Sequence, residues 1–124
     1  MSIAYWCVLV AAFLPLLFTA IAKFSGPGFN NRRPRDFQAQ LSGMRQRAHW
    51  AHLNSLEAFP PFAAGVIIAH QLGAEQALVD ALALGFIAAR LAYGALYIAD
   101  QQLLRSVVWT LGMGCVVALF VVAA

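Results

Sequence analysis

Four apolar stretches, each close to the roughly 20 residues needed to cross a hydrocarbon core, occupy most of this chain and leave few folds open to it. They run from about Ser2 to Ala22, from about Trp50 to Gln71, from about Gln76 to Ile98 and from about 103 to 123. Composition agrees: 62% of the 124 residues are hydrophobic and only 10% are charged, and the mean hydropathy is +0.74. A soluble domain of this length needs far more charge on its surface. The expected fold is an all-α membrane protein, a single four-helix domain over residues 1–124 with up-down topology and one loop at about 24–38. The first stretch lacks the basic start of a signal peptide and is followed by Lys23, so it reads as a retained span.

The cations orient the chain. Lys23, Arg32, Arg33, Arg35, Arg45 and Arg47 fall between spans one and two, and Arg90 and Arg105 flank the connection between spans three and four. The connection near Gly73-Ala74-Glu75 has none, and neither has either terminus. By the positive-inside rule the first and third connections are cytoplasmic and both termini lie on the opposite side. Topology thereby accounts for the basic residues, and nucleic acid is not an expected partner. Cys7 and Cys115 sit in apolar runs and read as small buried hydrophobes. His49, His52 and His70 lack the carboxylate or cysteine that would complete a ligand shell, so no metal site is expected.

Between Phe24 and Asp36 the Gly, Pro and Asn content breaks helix. This segment is either a solvated connector with topogenic arginines or, in part, a cap on a ligand site. Past Asp36 the chain can re-enter helix, which gives span two an early, polar start through Arg45, Arg47, His49 and His52. Pro60-Pro61 lies inside span two and deprives the carbonyls of Leu56 and Glu57 of their partners. A kink is expected where that carboxylate sits.

Polar residues inside the spans form an ordered set. Asn54 and Glu57, three apart, share a helical face, and ionisable groups in membrane helices turn toward a bundle interior or a wet cavity. Arg90, Tyr93 and Tyr97 follow i, i+3, i+7 and lie on one stripe. Span four opens with Arg105-Ser106. The up-down topology brings all of these to the same cytoplasmic depth. Two readings are open. Glu57 can pair with Arg90 or Arg105 as bundle glue, with the tyrosines as interface anchors. Alternatively, the set suits a small zwitterionic polycarboxylate, with arginines for carboxylates, the glutamate for an ammonium, and the amide and phenols for peptide-like groups. Asp80 and Asp100 read as helix-capping or solvated, and Trp6, Trp50 and Trp109 as interface or packing residues.

The same residues resemble a known family, the membrane-associated proteins in eicosanoid and glutathione metabolism (MAPEG). His52-Leu53-Asn54-Ser55-Leu56-Glu57 is similar to the family's Asn-x-x-Glu signature as microsomal glutathione transferases carry it, and Pro60 follows as in several members. Arg90-Leu-Ala-Tyr93-Gly-Ala-Leu-Tyr97 resembles the third-span stripe, and Arg105-Ser106 the pair that opens the fourth span. The resemblance implies a left-handed four-helix bundle that forms homotrimers, with glutathione held between subunits on the cytoplasmic side. It implies that Asn54 and Glu57 of one subunit hold the glutathione backbone, and that Arg90, Tyr93, Tyr97 and Arg105 come largely from its neighbour. Arg105 matches the arginine that stabilises the glutathione thiolate and is the expected catalytic residue. A free thiol is mostly protonated at neutral pH, and a guanidinium favours the nucleophilic thiolate. A lipophilic substrate would arrive through the bilayer lipids. The chain looks like a short member of the bacterial type, which implies a multi-pass protein of the inner membrane acting as a glutathione-dependent transferase or peroxidase. Several members carry an arginine four residues before the asparagine, where this chain has Trp50. Arg47 lies about two turns from Asn54 on nearly the same face and is the candidate replacement. Since some relatives bind lipids or partners without catalysis, a non-catalytic lipid-binding or scaffolding role is the alternative.

Overall fold

The computed structural model describes residues 1–124, all of its regular structure helical: α1 Ile3–Phe24, α2 Pro34–Ala39, α3 Gly43–Gln71, α4 Gln76–Ile98 and α5 Gln102–Ala123. Local chemistry sets the ends. Ser2 caps α1, its Oγ accepting from the Tyr5 amide at 3.1 Å, which satisfies one of the free donors of a helix start. The α1 start has a second acceptor: Asp80 Oδ1 takes the Ala4 amide at 2.8 Å. A carboxylate there also complements the positive end of the helix dipole.

The two tight turns share one motif. After α3, the Gly73 amide bonds to the His70 carbonyl and the Ala74 amide to the Ala69 carbonyl, with Gly73 at φ +75°. After α4, the Asp100 amide bonds to Tyr97 and the Gln101 amide to Leu96, with Asp100 at φ +61°. Both are Schellman closures, which need a left-handed residue just past the helix. Glycine adopts that conformation freely, and aspartate is among the few others that tolerate it. Asp100 is therefore the turn residue itself.

Chain re-entry into helix differs from the expectation. The chain does not run from Asp36 straight into span two. Pro34 starts a separate short helix, α2, with Asp36 in its first turn, an arrangement that suits proline's fixed φ and the helix dipole. The chain then breaks and restarts at Gly43, φ +61°, so that α3 carries Arg45, Arg47 and His49 in polar opening turns. Helix α3 passes through Pro60 and Pro61 without interruption.

Side-chain pairings define the packing. His52 meets Pro15 and Tyr5 meets His70, so α1 and α3 are antiparallel. Phe62 stacks on Phe86 at 4.0 Å between ring centroids, and Asn54 meets Arg90, so α3 and α4 are antiparallel. Gly85 faces Cys115 and Gly112 faces Ala89, which makes α5 antiparallel to α4. Helices α1 and α5 flank the α3–α4 pair on opposite sides. The core between them is small-residue rich: Ala4, Ala11, Ala58, Ala69 and Ala83 surround Phe62, Val66, Phe86 and Leu119. Small residues let helices approach closely, the usual basis of helix association in lipid. At Gly94 the approach is so close that a Cβ would overlap the Phe18 ring.

The outer surface is apolar. Phe13, Leu16 and Leu17 of α1 and Leu111, Val117 and Val121 of α5 are exposed. Helices α1, α4 and α5 are each long and apolar enough to cross a membrane, and the protein is an all-α integral membrane protein. Helix α3, expected to be the second span, is long enough but does not join them on composition. Asn54, Glu57, Pro60, Pro61 and His70 dilute its hydropathy.

The opening turns of α3 tie it to α1, α2 and α4. Arg45 donates to four carbonyls at the end of α1: Nε to Ala22 at 2.9 Å, Nη2 to Lys23 at 2.8 Å and Gly26 at 3.3 Å, and Nη1 to Pro27 at 2.9 Å. Its guanidinium also lies over the Phe37 ring of α2. Arg47 Nε donates to the Ile98 carbonyl at the end of α4, at 3.1 Å. Terminal helix carbonyls lack intrahelical partners, and a guanidinium fork is suited to collecting several of them.

Candidate functional site

Positions 50, 53, 54 and 57 of α3 lie along one face, and Tyr93 and Tyr97 of α4 lie opposite. Together, Trp50, Leu53, Asn54, Glu57, Tyr93 and Tyr97 line an open groove of about 390 Å³. On the other side of the tyrosine pair, α5 contributes Arg105, Ser106, Trp109 and Thr110 to a second groove of about 460 Å³, which Tyr93 and Tyr97 also line. The two rings meet edge to face at 5.6 Å and form the wall between the grooves. Trp50 leans on Tyr97 at 6.3 Å, and the Arg105 guanidinium lies 4.2 Å from the centre of the Tyr97 ring.

Behind the first groove is a buried cation. Arg90 is 2% exposed. Its Nη2 donates to Asn54 Oδ1 at 2.8 Å and to Ser55 Oγ at 3.4 Å, and its guanidinium lies 4.3 Å from the Tyr93 ring centre. Asn54 Nδ2 in turn donates to Glu57 Oε2 at 3.4 Å. The amide thus stands between the charges: its oxygen faces the guanidinium and its NH₂ faces the carboxylate. Each dipole is aligned with its neighbour; the Arg90–Asn54 bond is part-buried, where such a bond is stronger, and the Asn54–Glu57 bond is exposed. A buried cation without partners would be costly. Here the amide, Ser55 and the Tyr93 face meet most of that need, while Arg90 Nη1 is buried without a partner.

Glu57 is exposed at the groove mouth, able to receive an ammonium group from a ligand. Arg105, half-buried on α5, presents a fixed positive charge on the far side of the tyrosines. Two guanidiniums and one carboxylate leave the assembly one positive charge in excess. A ligand with more carboxylates than ammonium groups matches that balance, and the phenols supply hydrogen-bonding groups between the charges.

Asn54, Glu57, Arg90, Tyr93, Tyr97 and Arg105 therefore form one connected assembly built from three helices. Arg47 does not line either groove; its Nε is committed to Ile98. Sequence reasoning did not place Ser55, which is buried and bonds to both Arg90 and the Ala51 carbonyl. Nor did it assign Leu53, Trp109 and Thr110 to the groove walls. A signal existed for the α3 face: 50, 53, 54 and 57 follow the i, i+3, i+4, i+7 spacing of a single stripe.

Compared with known proteins, the chain matches the family model described as the MAPEG family over residues 3–124, essentially its whole length. No curated protein and no solved structure matches it.

Proposed function

This chain belongs to the MAPEG family, whose members commonly use glutathione, and from that premise we propose that it is a membrane-bound glutathione-dependent transferase or peroxidase. The observation that carries the reading is the Arg90–Asn54–Glu57 chain set beside two tyrosines, with Arg105 stacked on the second of them. That is more polar machinery than helix association needs. In this reading Glu57 receives the glutathione ammonium. Arg90 acts through Asn54, fixing the amide and, with it, the carboxylate. The phenols of Tyr93 and Tyr97 bond the peptide groups. Arg105 holds the thiolate form of the cysteinyl sulfur, because a nearby cation lowers a thiol's pKa. The thiolate attacks an electrophilic carbon of a lipophilic substrate, a sulfur–carbon bond forms, and the leaving group departs with its electron pair.

Both grooves open on the outer surface of the protomer, and their lining includes exposed Leu53, Glu57, Ser106 and Trp109. A neighbouring copy would enclose them, which supports self-association with glutathione between subunits, and the family resemblance implies that the assembly is a homotrimer. The grooves lie at the end of the bundle that carries the cation-rich 24–42 connection. The positive-inside rule assigns that end to the cytoplasm, with both termini opposite and α3 as a fourth span. An inner membrane of bacterial type is the proposed location.

The test is conjugation of glutathione to a reactive aryl halide by detergent-purified protein. The proposal expects turnover that Arg105→Ala reduces through kcat more than through KM, and absence of turnover counts against it. A second reading, a non-catalytic lipid-binding protein, is favoured by Trp50 and Leu53 in the groove wall, since Trp50 stands where several family members carry arginine. Lipid retained in the groove without any thiol dependence would support that reading instead.

A further inference from the structure

A third hollow lies between α2 and the opening turns of α3, separate from the tyrosine wall. It encloses about 380 Å³ and is lined by Arg35, Gln38, His49, His52, Leu53 and Leu56. Its polar groups gather at one end. Arg35 is exposed on α2. His49 and His52 stack with their ring centres 5.9 Å apart. The Nδ1–H of His52 donates to the Pro15 carbonyl at 2.9 Å, so in the neutral ring its Nε2 is an acceptor. His49 Nδ1 is buried without any partner. Gln38 is tied back to Thr19 Oγ1 at 2.6 Å, which anchors α2 as the outer wall. None of the lining residues is acidic. The nearby Asp36 lines a different hollow, with Arg33, so Arg35 keeps its charge unneutralised within the groove.

The other end is apolar. Leu53 and Leu56 are exposed on α3, and each successive turn of α3 leads from the polar connection into the apolar body of the bundle. The groove thus passes from the Arg35 cation and the His49 imidazole to bare leucine along the axis of the helix. A free anion would use only the first half of it. A molecule with an anionic head and a hydrocarbon tail uses both, and basic pockets at the edge of membrane helices are suited to such heads. We propose that this groove binds an anionic phospholipid, its phosphate at Arg35 and His49 and an acyl chain along Leu53 and Leu56. Because Leu53 also walls the first groove, the lipid would sit directly beside the candidate glutathione site.

The test uses delipidated full-length protein in a neutral detergent, without glutathione, so that its outcome is independent of the proposed activity. Binding of phosphatidylglycerol, phosphatidylcholine and inorganic phosphate is measured by native mass spectrometry and by thermal stability. Phosphatidylglycerol is expected to bind and stabilise more than phosphatidylcholine, and phosphate alone to do neither. Arg35→Gln, on an exposed side chain, should lower phosphatidylglycerol affinity roughly fivefold, the worth of one cation at an anionic lipid surface. His49→Gln should lower it further, and Arg33→Gln should leave it unchanged. Equal affinity for the two lipids, an undiminished preference in Arg35→Gln, or an equal response to inorganic phosphate would overturn the proposal.

Discussion

Replacing Arg45 by lysine separates two roles that a cation can have at the end of a membrane helix. As a topogenic charge, lysine serves as well as arginine. As a cap it does not, because the four carbonyls of Ala22, Lys23, Gly26 and Pro27 are collected by three nitrogens of a planar fork. A charge-assisted hydrogen bond contributes about 1.5–3 kcal/mol net when its partner is shielded. Water can replace the one to Pro27, which is exposed, and bonds made by one side chain do not add fully. The remaining part-buried bonds suggest a loss of about 2–3 kcal/mol for Arg45→Lys and about 3–4 kcal/mol for Arg45→Ala. For a chain of this size, 2–3 kcal/mol corresponds to a fall in melting temperature of roughly 5–15 °C. Thermal unfolding in detergent, followed by circular dichroism, gives the answer, with the exposed Arg33→Lys as control. If Arg45→Lys melts with wild type while Arg45→Ala falls, charge alone matters and the capping account is refuted.

Other consequences follow from the packing, the turns and the histidines. Gly94→Ala should destabilise by about 2 kcal/mol, because overpacking against the Phe18 ring outweighs the roughly 1 kcal/mol that alanine gains in a helix. In a Phe18→Ala background the same change should cost nothing, which a double-mutant cycle on melting temperature would reveal. Asp100→Gly should stabilise by roughly 0.5–1 kcal/mol by relieving a side chain held at φ +61°, seen as a raised melting temperature. Burial, and then the neighbouring His52, push His49 below its ordinary value. The folded protein therefore resists protonating His49, whereas the unfolded chain takes up a proton near pH 6.5. Stability should be at its full value above about pH 6.5 and decline as pH falls below it. In His49→Gln the melting-temperature profile of delipidated protein should be flatter over that range.

The helical character of the chain was legible from apolar stretches long enough to cross a membrane, and the stripe of Arg90, Tyr93 and Tyr97 from the 3.6-residue period. The tyrosines of that stripe line grooves, and the arginine turns inward to Asn54. What spacing could not settle is how Glu57 meets a cation. The sequence left open a direct pair with Arg90 or Arg105; in the structure Asn54 stands between Glu57 and Arg90. That outcome depends on how far α3 is rotated against α4, which no single-helix pattern contains. Arg45 and Arg47 were illegible for a related reason. Their carbonyl partners are the ends of α1 and α4, 23 and 51 residues away in the chain, so a tertiary role resembled a topogenic one. Helix α2 was more accessible: Pro34 followed by Asp36 is a helix-start signal. For α3 the same polar residues that build the groove lower its hydropathy below that of α1, α4 and α5.

The central claim is that the Glu57–Asn54–Arg90 chain and Arg105 form a glutathione site. Its most direct test is the melting temperature of detergent-purified wild-type and Glu57→Ala protein, with and without millimolar glutathione. A ligand at ten times its Kd stabilises the folded state by about 1.4 kcal/mol. The account predicts a rise of several degrees for wild type and none for Glu57→Ala. An unchanged melting temperature for wild type, or an equal rise in both proteins, would contradict it.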